Sequence, residues 1–83
     1  SLQISHDDGE ILRLKKAIID DNRIVELRSR VRAAAESQLE NGVIDITDLL
    51  RKITDETVAK QMLSTHEIEL LQAIYRLKTT LNQ

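Results

Sequence analysis

Apolar residues recur along the first half of the chain with the spacing of a long amphipathic helix. Isoleucine or valine stands at every seventh position, at Ile4, Ile11, Ile18 and Val25. Leu14 falls at the d-type position between two of them. A heptad stripe of this kind predicts a helix over about residues 8–40 that packs against another helix.

The apolar face changes position on this helix in its second part. From Ile24 onward the apolar residues are Leu27, Val31 and Ala34, and the stripe continues to Leu39. Because this set does not keep the register of the first heptads, the face is expected to move round the helix. More than one packing neighbour is therefore predicted.

A short turn is predicted at residues 41–45. Gly42 can adopt the left-handed backbone that closes a helix, so the first helix should end at Asn41-Gly42. Asp45 is suited to cap a second helix, with Asp48 at the third helical position. A connection this short forces the two helices to run antiparallel.

The second helix is predicted over about residues 46–81. Its a and d positions are read as Ile46, Leu49, Ile53, Glu56, Lys60, Leu63, Glu67, Leu70, Ile74, Leu77 and Leu81. Eight of these eleven positions are apolar, and the charged ones cluster in the middle, where the seam should loosen. The predicted fold is all-α: a long antiparallel two-helix hairpin of coiled-coil type, with helices of about 50 Å.

Size and composition indicate that this hairpin needs partners. A chain of 83 residues buries little surface, and it has no Cys for a disulfide or thiolate metal site. Tyr75 is the only aromatic residue and there is no Pro, as is typical of long helices. We therefore expect one helical domain that self-associates and forms part of a larger protein.

Charge and candidate chemistry exclude several functions. With 12 basic and 14 acidic residues, the chain has no electrostatic footprint for nucleic acid or anionic lipid. His6 and His66 lie far apart, so no metal, cofactor or catalytic site is predicted. We expect a non-enzymatic chain, with His66 on the surface or in the seam. The acidic pairs Asp7-Asp8 and Asp20-Asp21 are expected on solvated helix surface.

One stretch of the sequence resembles a known family. Residues 38–50, reading Gln-Leu-Glu-Asn-Gly-Val-Ile-Asp-Ile-Thr-Asp-Leu-Leu, are similar to the periplasmic hairpin tip of TolC-like outer-membrane efflux factors. Downstream, Ala59, Ala73 and Leu77 fall where that family places Ala, Ala and Leu. The segment Ala34-Ala35-Glu36 completes the outline before the turn. The resemblance covers about residues 25–82.

The resemblance implies a role in efflux or type I secretion. It implies a longer, trimeric protein of the cell outer membrane, with a β-barrel outside this sequence as its only membrane contact. This chain would be one periplasmic hairpin of its helical tunnel. The tip residues Asn41, Gly42, Val43 and Ile44 would dock a periplasmic adaptor protein, itself joined to an inner-membrane pump. Asp48 would lie at the channel entrance.

The sequence departs from the family pattern at two places near the tip. Arg51 stands where some members have a second acidic residue, and Ile44 stands where some have a polar one. The alternative function is a soluble coiled-coil interaction or dimerisation module, in which residues 41–45 are only a turn. A signal peptide, amphipathic strands and a second hairpin in the flanking sequence would distinguish the channel from the module.

Overall fold

The chain forms an antiparallel helical hairpin. The computed structural model describes residues 2–82, which contain two helices, α1 (Leu2–Glu40) and α2 (Ile46–Leu81), and no strand. The rod measures 62 × 14 × 13 Å, so it is only two helices wide. The predicted all-α hairpin fold is thereby confirmed. No helix within residues 2–82 has an apolar stretch long enough to cross a membrane.

Helix α1 begins six residues before the predicted start. Gly9, next to the predicted start, lies inside the helix rather than at its N-terminus. A Cβ added at Gly9 would meet no atom within 4 Å, which means that packing does not require glycine there. Glycine inside a helix costs about 1 kcal/mol relative to alanine. The heptad stripe that begins at Ile4 outweighs this local cost.

The tip has the backbone geometry that its sequence predicts. Gly42 has φ = +71°, its N–H donates to the carbonyl of Leu39 (3.0 Å), and the Val43 N–H donates to that of Gln38 (2.8 Å). These two bonds form a Schellman motif that closes α1. At the start of α2, the Asp45 carboxylate accepts from the Asp48 N–H and the Asp48 carboxylate from the Asp45 N–H. This reciprocal capping box fixes the direction in which α2 leaves the turn.

Small side chains dominate the seam between the helices. The buried apolar residues are Leu14, Ala35, Leu49, Ala59 and Ala73. Three of these five are alanines, which let two helix backbones approach closely. The narrow cross-section of the rod follows from this composition. Because so few large side chains are enclosed, the hairpin has a thin core with little hydrophobic stabilisation.

Only half of the predicted α2 seam is correct. Leu49, Glu56, Leu63, Leu70 and Leu77 are buried or half-buried, as predicted. The interleaved set is wrong at most positions: Ile46, Ile53, Lys60, Glu67 and Leu81 are exposed, and only Ile74 is half-buried. Their places in the seam are taken by Lys52, Ala59, His66, Ala73 and Thr80. Heptad spacing identifies two candidate faces here, and α1 packs on the one with the smaller side chains.

The apolar face of α1 was predicted to move round the helix after Ile24, and this prediction is wrong for the face that packs on α2. Ile24 and Leu27 remain exposed, whereas Asp21 and Ala35, two heptads apart, are buried. Helix α1 thus keeps one register against α2 along its length. Ile24, Leu27 and Ala34 of the shifted stripe are exposed and available to a neighbour other than α2, whereas Val31 and Leu39 are half-buried.

Candidate functional site

The residues predicted to dock a partner lie together at one end of the rod. Asn41, Gly42 and Val43 are exposed, and 70% of the surface of Val43 is accessible. Ile44 is half-buried against the turn. A Cβ at Gly42 would meet no atom within 4 Å, so its positive φ, and not crowding, is what favours glycine. The tip therefore offers bare backbone and an exposed valine on a hydrogen-bonded turn.

The structure gives Asp48 a capping role in addition to its predicted place at a channel entrance. Its carboxylate is 3.3 Å from the Asp45 N–H and lies in the first turn of α2, where a negative charge suits the helix dipole. Asp48 is half-buried. Any charge that it presents at the tip is therefore held in place by the capping box.

The seam contains a buried carboxylate near the end of the rod opposite the tip, which we call the base. Asp7 is only 2% exposed, so its predicted place on solvated surface is wrong. It accepts a hydrogen bond from Nε2 of Gln3 at 2.9 Å, and the Thr80 hydroxyl of α2 lies 3.4 Å from its other oxygen. That hydroxyl is closer, 3.0 Å, to the carbonyl of Arg76, so its single proton serves mainly its own helix. Gln3 is thus the main donor to Asp7.

A second carboxylate is buried at mid-rod and contacts a histidine. Asp21, also predicted on the surface, is buried, and its Oδ2 lies 2.5 Å from Nδ1 of His66. An ionised carboxylate can only accept, so Nδ1 carries the proton in this contact. His66 is half-buried and belongs to the seam, one of the two places predicted for it. Leu14 and Ala73 lie seven residues from these partners and form the next layer toward the base.

The third polar contact in the seam is an ion pair nearer the tip. Nε and Nη2 of Arg32 each lie 3.2 Å from a carboxylate oxygen of Glu56, and Nη1 of Arg32 is 3.2 Å from Oε1 of Glu36. Lys60 adds a weaker contact, 3.9 Å from Glu56. Hydrogen bonding from Arg32, and secondly from Ser29, lowers the pKa of Glu56 below its ordinary 4.5. Glu56, one of the three charged positions in the middle of the predicted ladder, thus forms an ordered cross-helix contact.

Because of this ion pair, the free energy of unfolding of the hairpin should decrease at acidic pH. The pKa of Glu56 is lower in the folded chain, so its stabilising contribution is complete above about pH 4.5 and disappears as the pH falls through the folded value. Glu56→Gln should therefore flatten the acid side of a plot of urea midpoint against pH. Glu67→Gln, at an exposed position of α2, is the matched control. Equal acid slopes in Glu56→Gln and the unmodified chain would show that the pair does not contribute.

An apolar groove runs along one flank at mid-rod. It has a volume of about 270 Å³ and lies between the helices. Its lining residues are Asp21, Ile24, Arg28, Asp55, Val58, Ala59 and Met62. Of the α2 residues in this lining, Ala59 is buried in the seam, and Val58 and Met62 are about half exposed. We call the groove together with Leu27, three residues after Ile24, the groove face.

Within residues 2–82 no group of three or more His, Asp or Glu side chains could hold a metal ion. Every buried side-chain nitrogen and oxygen of the described residues has a hydrogen-bond partner. The buried polar side chains of the described residues are therefore hydrogen-bonded, whereas the tip and the apolar flanks are exposed.

Comparisons of the chain with protein families, with curated proteins and with solved structures found no match.

Proposed function

We propose that this hairpin is a wall segment of a periplasmic tunnel in a TolC-like outer-membrane channel, and that its tip docks a periplasmic adaptor. The observation that carries the proposal is the tip: Asn41, Gly42 and Val43 are exposed on a well-formed turn at the end of a 62 Å rod. These residues belong to the stretch that resembles the family. In this role the chain acts by helix packing and docking, with no turnover of its own.

Two apolar flanks support a place among other helices. One is the groove face. The other is an outward stripe on α2, formed near the tip by Ile46, Leu50 and Ile53, which are 37–55% exposed. A single hairpin cannot cover both, and apolar surface of this extent usually marks a contact with protein. In a tunnel wall, neighbouring hairpins of a trimer would cover them.

The capping box supports a fixed docking geometry at the proposed entrance. Asp48 contributes one negative charge there, and Arg51, one turn of helix away, contributes a positive one. The proposed entrance is therefore less acidic than it would be with a second acid at 51. A passive conduit of this kind takes its substrate from the attached pump, so substrate choice is assigned to the pump.

Substitution of Gly42 tests the docking role. In the full-length protein, Gly42→Val should abolish export and adaptor binding, because a branched side chain would replace bare backbone at the tip. The left-handed φ should also cost about 1–2 kcal/mol, which long helices on either side can tolerate. The measurements are export of a pump substrate, adaptor pull-down and the amount of protein in the outer membrane.

Gly42→Asn separates the two effects of that substitution. Asparagine tolerates positive φ, so this variant should keep the turn while still adding a side chain. Loss of adaptor binding in both variants, at normal membrane levels, would assign docking to the bare backbone. Wild-type export and adaptor binding by a correctly inserted Gly42→Val protein would remove the docking role from the tip.

The alternative is a soluble coiled-coil dimerisation module. The observation that favours it is the groove face, which is apolar and lies away from the tip. In that role residues 41–45 would be a connection only, and tip substitutions would change stability without changing partner binding.

A further inference from the structure

The groove face is a shallow apolar surface with one unpaired charge of each sign. Ile24, Leu27, Val58 and Met62 are each about half exposed, and together they form an apolar strip across both helices. Arg28 and Asp55 line the same groove, one on each helix. The strip and the two charges thus lie on one side of the rod.

Arg28 differs from the other arginines of α1. Within the described residues, Arg13, Arg23, Arg30 and Arg32 each form an ion pair with a glutamate or aspartate. Arg28 forms none, and neither does Asp55, in the part of the chain that the structure describes. Two opposite charges that line an apolar groove without partners are suited to a contact with another molecule that carries the complementary pair.

A second copy of the same chain carries that complementary pair. We propose that the groove face is a self-association surface, on which two hairpins pack around a two-fold axis that runs along the rod. Such an axis places α1 of one copy against α2 of the other at the same height, with both tips pointing the same way. Each Arg28 then faces the partner's Asp55, and each Asp55 faces the partner's Arg28. This is an isologous contact, in which one patch meets its own copy.

The heights of the two charges fit this arrangement. Arg32 contacts Glu56, so Arg28, four residues farther from the tip, and Asp55, one residue nearer the tip, are offset by about 7.5 Å along the rod. This is a little more than the roughly 6 Å between the residues of an i,i+4 ion pair, and the long side chain of arginine can span it. All neighbouring helices in the resulting four-helix bundle would be antiparallel, which is a common bundle geometry.

A contact centred on the groove face and running along the whole rod has the area of a stable interface. One long side of the rod measures 62 by 13 Å, so such a contact would cover about 800 Å². A standard protein interface buries about 800 Å² on each partner. This proposal does not depend on the channel function, because it concerns the chain alone and does not involve the tip.

Charge reversal gives a direct test in the 83-residue chain. Sedimentation equilibrium of the unmodified chain should show a monomer–dimer equilibrium. Arg28→Asp or Asp55→Arg alone should raise the dimer dissociation constant about tenfold or more, because each places like charges at both contacts. An equimolar mixture of the two variants should regain association, since one copy is then acidic and the other basic at both positions.

Arg30→Asp is the matched control. It changes an arginine two residues away that is 75% exposed on another face, so it should leave the dissociation constant unchanged. Circular dichroism checks that each variant keeps its helicity. A spin label at Val43, itself 70% exposed, should give a label-to-label distance close to the width of the rod if the tips point the same way.

Three outcomes would overturn the proposal. The first is an unmodified chain that stays monomeric at every concentration. The second is association that is insensitive to reversal at Arg28 and Asp55, which would place the contact on the outward stripe of Ile46, Leu50 and Ile53. The third is a mixture of the two single variants that associates no better than either alone.

Discussion

Replacing Leu14 with alanine is expected to lower the free energy of unfolding by about 2–4 kcal/mol. Leu14 is the largest apolar side chain that is fully buried among the described residues. Its removal would leave a cavity beside Ala73, itself buried, which is too small to fill the space. In a core with so few large side chains, this loss is a substantial part of the total stability. Urea denaturation at a fixed chain concentration measures it.

Leu12→Ala is the control for this prediction. Leu12 lies two residues away in the same helix and is 55% exposed, so the same chemical change should cost only about 0.5 kcal/mol. Both variants keep helix propensity nearly equal, because alanine and leucine are both good helix formers. Similar losses at the two positions would show that the seam does not run through Leu14.

Replacing His66 with alanine is expected to destabilise the hairpin by about 1–3 kcal/mol. The reason is the aspartate that remains: Asp21 is 7% exposed and accepts from Nδ1 of His66. Without the imidazole, a buried carboxylate would be left without its donor across the seam, and its desolvation would not be compensated. Thermal unfolding near neutral pH would measure the change.

The double variant His66→Leu/Asp21→Leu distinguishes the cost of an unpaired carboxylate from the cost of lost packing. Replacing both polar partners by apolar groups is often neutral or stabilising, so this chain should unfold at or above the temperature of the unmodified protein. Asp20→Ala, one residue from Asp21 and exposed, is the control for loss of an acid. If His66→Ala and the double variant lost equal stability, the cost would come from packing rather than from an unpaired carboxylate.

The turn was the most predictable part of the fold. Gly42, Asp45 and Asp48 act through local backbone geometry, which depends on neighbours in the sequence and little on the rest of the fold. The structure has the left-handed glycine and the reciprocal capping box that these residues predict. The start of α1 was less predictable, because Gly9 is only a weak obstacle inside a long helix.

The composition of the seam was the least predictable part. Heptad spacing cannot distinguish the stripe of Ile46 and Ile53 from that of Ala59 and Ala73, because both recur every seven residues. Hydrophobicity favours the isoleucines, yet the alanines are buried. Small side chains let the two helix backbones approach closely, so the alanines face the seam and the larger isoleucines face outward. Exposed isoleucine is also what a hairpin with further partners would carry.

The buried aspartates could be inferred only through their cross-helix partners. Asp7, Asp21 and Glu56 are surface residues by type, and heptad spacing placed only Glu56 of the three in the seam. Their partners lie 24–73 residues away in the sequence, so pairing becomes visible only when the antiparallel register is known. The signal available in advance was the register fixed by the short turn, which aligns residues at equal distances from it.

The same alignment predicts the order in which the cross-helix contacts form during folding. The cross-helix contacts close chain segments of increasing length from tip to base: 24 residues for Arg32 and Glu56, 45 for Asp21 and His66, and 73 for Asp7 and Thr80. The entropy lost on closing a loop grows with its length, so the shortest loop forms most readily. Each later layer then extends helices that are already aligned. The two helices should therefore pair first at the tip and last at the base. On unfolding, they should separate first at the base.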